Sequence, residues 1–226
     1  MEKTSKMKTL VIDPGHGGRD SGAASPFAGG LMEKDAVLDV ALTMQSLLHG
    51  TLKVVMTRKT DVFVELRDRA AISNAADADL FLSIHCNSAE RSGARGPECW
   101  TSRGETAADP FATTLARHWV TDHPGTPFRR DMSDGDPDFE SSFSVLVHTD
   151  APAVLWELGF LSNPDDSDLI ADPLWRDKAA ETLAGGIIAH LGLASHRPPE
   201  KPQEPVKARL SKAINDLRAI HNDLKQ

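Results

Sequence analysis

The stretch KTLVIDPGHGGRD, residues 8–20, establishes the pattern that the rest of the chain repeats. Its short apolar run predicts a buried strand, and the Pro14–Gly15 pair predicts that this strand ends in a tight turn. His16 follows that turn and is flanked by glycines, which let the backbone bend sharply. The sequence therefore places an imidazole just beyond the end of a buried strand.

Apolar runs alternate with stretches of helical periodicity along the next part of the chain. We expect further strands at 52–57, 78–85, 93–101, 143–149 and 152–158. We expect helices at 33–49, 64–76 and 105–120, followed by two helices that begin at Asn163–Pro164 and Asp172–Pro173. The Pro-, Gly- and Asp-rich residues 121–142 predict a long surface loop. The alternation indicates an α/β fold: a twisted, mostly parallel sheet with helices on both faces.

The composition is that of a globular protein and argues against several functions. The 226 residues carry a formal net charge of −8, so a basic surface for nucleic acid is not expected. Two cysteines cannot form a disulfide framework. No stretch approaches the roughly 20 apolar residues that span a bilayer. The apolar run near the start is too short for a secretory signal, so we expect a chain made in the cytoplasm without a cleavable signal.

The chain divides into one domain at 8–193 and a C-terminal extension. Residues 196–207 contain four prolines in twelve positions and predict a semi-rigid linker. Apolar residues spaced by three and four within 208–226 predict an amphipathic helix. A helix this short is marginal alone, so it either self-associates, docks on a partner or is a frayed tail.

Polar side chains follow several of the predicted strands at the edge where ligands bind in open α/β sheets. His16 follows the first strand, while His85 and Glu157 close two later strands. Glu33 opens the first helix after a glycine-containing loop that can return it to the same edge. Each residue also has an ordinary interpretation, as a hydrogen-bonded loop histidine or a helix-start glutamate, and spacing alone leaves both interpretations open.

The chemistry of these four residues suits a catalytic zinc. Such a site takes three protein ligands from histidine and carboxylate, and His16, Glu33 and His85 supply them. Zn²⁺ lowers the pKa of a bound water and polarises a carbonyl oxygen. Hydrolysis of an amide also needs a group that moves a proton, which a carboxylate such as Glu157 can do. Glu157 directly follows an apolar run, where an unpaired carboxylate is costly to bury.

Four ordered motifs resemble the zinc-dependent N-acetylmuramoyl-L-alanine amidases of the amidase 3 type. The first three are VIDPGHGGRDSGA, LMEKDAVLDVA and VVMTRKTDVFVELRDRAAISNAADADLFLSIHCNS. The fourth is APAVLWELGFLSNPDDSDLI, and the resemblance extends over residues 8–192. It implies that His16, Glu33 and His85 bind Zn²⁺ and that Glu157 is catalytic. It also implies cleavage of the amide between N-acetylmuramic acid and L-alanine in peptidoglycan.

Four further residues are candidates for binding substrate or supporting a ligand. Asn87 lies two residues after His85, on the same side of an extended strand. Arg129 and Arg130 stand where relatives carry an Arg-Gly segment, and either can meet a peptide carboxylate. His148 precedes the last strand. Solvated loop charges and a structural histidine are the simpler interpretations of the last three.

The resemblance implies an enzyme that acts on the cell wall, as an autolysin or a phage or prophage endolysin. A lysin made without an export signal and released through a separate membrane hole fits the expected absence of a signal. Two other functions stay open from the residues alone. One is a non-catalytic wall-binding module on the same fold, and the other is a zinc hydrolase of a different amide.

Overall fold

A computed structural model describes residues 6–90 and 93–194. The predicted linker at 196–207 and helix at 208–226 lie outside these residues. Within the described ranges, none of the helices combines the length and apolar character needed to cross a bilayer.

The described residues form one six-stranded sheet. Its strands are β1 (Thr9–Pro14), β2 (Lys53–Met56), β3 (Leu80–Asn87), β4 (Glu98–Thr101), β5 (Phe139–Glu140) and β6 (Ala153–Phe160). They lie in the order β2-β1-β3-β6-β4-β5. All neighbouring pairs are parallel except β4 and β6, which are antiparallel. The mostly parallel sheet predicted from the sequence is confirmed.

Helices cover both faces of this sheet. They are α1 (Glu33–Leu47), α2 (Leu66–Ala75), α3 (Asp109–Asp122), α4 (Ser144–Val147), α5 (Pro164–Ala171) and α6 (Pro173–His190). The Asn163 and Asp172 side chains accept hydrogen bonds from the backbone at the starts of α5 and α6, as their positions before proline predict. The Asp109–Pro110 pair begins α3, four residues later than the periodicity indicated.

Successive strand residues point to opposite faces, which divides the core into two apolar clusters. The larger cluster joins alternate strand residues such as Ile84 and Trp156 to α1, α3 and α6. The smaller cluster joins Phe81 and Leu155, on the other face, to α4. His85 and Glu157 have the same parity as Phe81 and Leu155 and therefore lie on the face of the smaller cluster. Cys86 has the opposite parity and is buried in the larger cluster.

The strand predicted at 143–149 is wrong, since residues 144–147 form the short helix α4. Adjacent Val145 and Leu146 are both buried, whereas Phe143 and Val147 are exposed. A strand would instead bury alternate residues. Periodicity cannot distinguish a helix from a strand in so short an apolar run.

Candidate active site

The loop that carries His16 leaves the end of β1 and crosses to the neighbouring strand. The Gly15 amide donates to the Ile84 carbonyl of β3 across 3.0 Å. His16 itself has a φ of 60°, in the left-handed region that non-glycine residues rarely adopt. Backbone strain of this kind persists only where the surroundings hold it in place.

Two buried arginines hold this loop by its carbonyl oxygens. Arg58 donates from Nε to Pro14 at 2.9 Å and from Nη2 to Gly15 at 2.7 Å. Arg69 donates from Nη2 to the His16 carbonyl at 2.7 Å. The strained turn is therefore fixed by side chains that follow it by more than forty residues.

Asp13 directly precedes the Pro14–Gly15 turn and neutralises Arg69. Its carboxylate lies 2.8 Å from Arg69 Nη1, and both side chains are almost fully buried. Thr57 and Ser83 also donate hydroxyl hydrogen bonds to Asp13. The neighbouring strands β1 and β3 and the Thr57 region after β2 are thus joined beneath the His16 loop.

His16, Glu33 and His85 converge at the carboxyl edge of β1 and β3. One potential ligand atom from each lies within 4.8 Å of the other two. Glu33 Oε1 is 3.0 Å from His16 Nε2 and 2.9 Å from His85 Nδ1. The structure therefore brings together the three residues that were predicted from the sequence as metal ligands.

Backbone groups and close-packed glycines fix the Glu33 carboxylate in this position. Its Oε2 accepts from the Ala23 amide and its Oε1 from the Cys86 amide, at 2.8 Å and 2.9 Å. A Cβ on Gly15 would overlap the His85 ring, and one on Gly22 would overlap Glu33. Only glycine fits at these two positions, so the loop packs directly onto the cluster.

Asp20 supports His16 from the side away from Glu33. Asp20 Oδ2 lies 2.9 Å from His16 Nδ1, and its Oδ1 accepts from the Gly22 amide at 3.0 Å. Carboxylates commonly orient metal-binding histidines in this way. Asp20 was not singled out from the sequence, although it lies within the first motif, four residues after His16.

The charges in the cluster reinforce one another. Burial acts against the Glu33 carboxylate, but hydrogen bonds and charges from His16 and His85 hold its pKa far below the usual range. Burial likewise opposes the charge on His16, yet Glu33 and Asp20 together raise the His16 pKa. Glu33 is therefore an anion that faces two histidine nitrogens.

This donor set fits a zinc ion. Two imidazole nitrogens and one carboxylate oxygen form a ligand combination typical of catalytic zinc. Both inward nitrogens lie within 3.0 Å of the same Glu33 oxygen, so the three potential ligand atoms already point toward one another. Neutral imidazole and carboxylate are the forms that bind a divalent cation.

Glu157 lies on β6 directly opposite His85 of β3. Burial raises the Glu157 pKa well above its usual range, and the negative charges of Glu33 and Glu98 raise it further. Its Oε2 is buried and has no hydrogen-bond partner among the described residues. An orphaned carboxylate oxygen of this kind is unusual outside functional sites.

Glu98 continues this row onto β4, where it pairs with Glu157. Its side chain is only 3% exposed and accepts three hydrogen bonds. Asn87 Nδ2 and Trp100 Nε1 donate to Oε1 at 2.7 Å and 3.1 Å, and Arg129 Nε donates to Oε2 at 2.6 Å. Glu98 thus holds Asn87 and Arg129 beside Glu157. The sequence did not point to Glu98. The one signal that could have done so is that Glu98 and Trp100 alternate along a short strand and therefore share a face.

Arg130 and His148 lie elsewhere. Arg130 is exposed and lines a surface groove beside α3 together with Met132. His148 caps α4, where its Nδ1 contacts the Ser144 carbonyl at 2.8 Å and its own carbonyl accepts from Asn74. The structure does not bring either residue to the cluster.

The fold and this cluster define the class of protein. Residues 10–189 match the family described as N-acetylmuramoyl-L-alanine amidase, of the amidase 3 type. The chain belongs to this family, as the four sequence motifs predicted. A solved relative supports the same assignment: the catalytic domain of CwlV, an N-acetylmuramoyl-L-alanine amidase from Bacillus (Paenibacillus) polymyxa var. colistinus. It is 34% identical with a TM-score of 0.75, over 83% of this chain and 100% of that one.

Two curated relatives match this chain over different shares of their own length. The endolysin of Bacillus phage SPP1 is 35% identical over 215 residues, which are 92% of this chain and 76% of the endolysin. The probable cell wall amidase LytH of Staphylococcus epidermidis is 33% identical over 185 residues, or 80% of this chain. The match spans only 58% of LytH.

Proposed function

We propose that this protein is a zinc-dependent amidase that cleaves peptidoglycan between the lactyl group of N-acetylmuramic acid and L-alanine of the stem peptide. One observation carries the proposal. Three ligand-competent side chains lie within 4.8 Å of one another, and the neighbouring Glu157 presents a buried oxygen with no partner among the described residues. Membership of the amidase family supplies the substrate.

In this proposal His16, Glu33 and His85 hold Zn²⁺. The bound ion supplies Lewis-acid chemistry, which polarises the amide carbonyl and makes a water more acidic. Asp20 keeps the His16 ring oriented through its Nδ1 contact. Arg58 and Arg69 hold the loop so that the imidazole stays at the sheet edge.

Glu157 moves the proton. Its carboxylate accepts a proton from the attacking water as the oxygen adds to the amide carbon. When the carbon–nitrogen bond breaks, the same carboxyl returns that proton to the amine of L-alanine. General acid–base transfer of this kind contributes about 10²- to 10⁴-fold to a rate. Its position opposite His85 on the adjacent strand suits this role.

We further propose that the protein acts on the cell wall as a lysin, after export or release from the cytoplasm. The similarity to a phage endolysin over 92% of this chain supports this proposal. In the same proposal residues 208–226 dock on a partner or on another copy. Removal of residues 196–226 is then expected to leave turnover of soluble wall fragments intact and to reduce lysis of whole walls.

A digest of purified peptidoglycan tests the activity directly. Mass spectrometry of the products is expected to show stem peptides with a free L-alanine amine. These products are expected to disappear when a chelator is added and to return when zinc is restored. Intact wall that still binds the zinc-loaded protein would instead indicate a wall-binding module. Cleavage confined to other amides would indicate a different substrate.

A further inference from the structure

The segment that carries Arg129 is anchored to the sheet rather than free in the long loop. A Cβ on Gly96, whose φ is +93°, would overlap the Pro127 carbonyl. The Phe128 ring packs 5.7 Å from that of Trp156 in the core. The Arg129 amide donates to the Pro97 carbonyl at 2.8 Å. Three successive residues are thus held against the segment just before β4 and against β6.

The guanidinium of Arg129 is held by one hydrogen bond and two aromatic rings. Nε donates to buried Glu98 at 2.6 Å, and the central carbon lies 5.2 Å from the Phe160 ring and 6.0 Å from the Phe139 ring. The side chain nevertheless remains 41% exposed. Its two terminal nitrogens form no hydrogen bond to other described residues. A pre-oriented fork of N–H donors therefore remains available.

This fork lies next to the proposed catalytic carboxylate. Glu98, which holds it, is the direct cross-strand partner of Glu157, and such pairs have Cα atoms roughly 5 Å apart. Phe160, against which it packs, is three residues beyond Glu157 on β6. A substrate whose scissile amide reaches Glu157 therefore brings its adjacent groups close to Arg129.

The chemistry of Arg129 suits an anionic group of the substrate. Its side chain is partly exposed, and its Nε is held by Glu98, the cross-strand partner of Glu157. Arginine binds carboxylates through paired N–H donors, in a geometry that lysine cannot reproduce.

We infer that Arg129 binds the carboxylate of the stem peptide closest to the scissile amide, and that Glu98 is its positioning residue. In a stem that begins L-alanine–γ-D-glutamate, this group is the α-carboxylate of the second residue. Some stems carry a carboxamide there instead. The protein is therefore selective for the unamidated stem, an inference that rests on the proposed amidase function.

The test compares two soluble N-acetylmuramoyl peptides that differ only in carboxylate or carboxamide at this position. For the zinc-loaded full chain, kcat/KM is expected to be about 10- to 100-fold higher for the carboxylate, as for a hydrogen bond between charged groups. Arg129→Gln is expected to bring this ratio close to one, and Arg129→Lys to give an intermediate ratio. Arg130→Gln, which makes the same charge change one residue away, is expected to keep the wild-type ratio.

Glu98→Gln tests the positioning role, because it weakens the hydrogen bond that holds Arg129 Nε. This variant is expected to reduce the ratio of kcat/KM for the carboxylate and carboxamide peptides. A general loss of stability would not change that ratio. Dissociation constants of the two peptides with the Glu157→Gln protein are expected to show the same preference without turnover.

Equal wild-type rates on the two peptides would overturn the inference and leave the amidase function standing. An undiminished ratio in folded Arg129→Lys and Arg129→Gln would do the same. Cleavage of neither peptide by the wild type would overturn the proposed function itself. Even if a variant fails to fold, equal wild-type rates on the two peptides overturn the inference, and a wild-type preference for the carboxylate supports it.

Discussion

The Glu33 carboxylate contacts two histidine nitrogens and accepts hydrogen bonds from two backbone amides. The Ala23 amide belongs to the loop after β1, and the Cys86 amide belongs to β3. Glu33 therefore connects α1 to both elements that carry the histidines. Its type was evident from the sequence, but its central place in the cluster depends on these long-range contacts.

The role of Glu157 predicts a separation of chemistry from metal binding. Glu157→Gln is expected to reduce turnover by about 10²- to 10⁴-fold, because an amide cannot move the proton. Zinc content is expected to stay at one ion per chain, since Glu157 lies outside the three-residue cluster. Product analysis and metal analysis of the same preparation check both. Full activity would remove Glu157 from the mechanism, and exposed Glu181→Gln serves as the control.

Asp20 predicts a contribution to metal affinity from outside the ligands. Its carboxylate contacts His16 Nδ1 at 2.9 Å, so Asp20→Ala is expected to weaken zinc binding by about 10- to 100-fold. Competition with a chelator measures this change. Asp168→Ala, at an exposed position on α5, is expected to bind zinc as the wild type does. An Asp20→Ala affinity equal to that of the control would exclude a supporting role.

At the scale of elements, the turn after β1 depends on the arginine that α2 contributes. Arg69→Met leaves Asp13 buried without its cation, which is expected to cost about 3–5 kcal/mol of unfolding free energy. Arg19→Met removes a pair whose arginine side chain is 74% exposed, so a loss below about 1 kcal/mol is expected. Urea unfolding compares the two. Equal losses would show that the buried pair does not hold the turn.

Local signals predicted most elements but failed where a segment was short. The N-cap residues Asn163 and Asp172 predicted the starts of α5 and α6, because their hydrogen bonds are made within a few residues. The run 143–149 carries the same apolar character in a helix as in a strand. Packing against the smaller cluster selects the helix there, and no local signal reports that packing.

For the whole molecule, Asp138 predicts a pH dependence of stability. Burial raises its pKa from 3.8 to about 7, against a hydrogen bond from Thr101 and with the help of neighbouring Asp136. The folded state thus binds more protons than the unfolded state between these values. Stability should therefore fall as pH rises through this window, with a slope of up to about 1.4 kcal/mol per pH unit.

Asp138→Asn cannot ionise and is expected to flatten this slope and to be more stable than the wild type at about pH 8. Unfolding free energies from urea titrations across the window measure the effect. The exposed Asp168→Asn is expected to keep the wild-type slope. An unchanged slope in Asp138→Asn would assign the pH dependence to other groups.

The sequence by itself determined the alternation of strands and helices, the edge at which His16, His85 and Glu157 emerge, and the family. These follow from periodicity, caps and ordered motifs, all of which are local properties of the chain. Tertiary structure alone decided that Glu98 joins Asn87 and Arg129 beside Glu157. It also decided that Asp20 and two buried arginines support His16. These contacts join residues distant along the chain, and only the packing of the sheet brings such side chains within hydrogen-bonding distance.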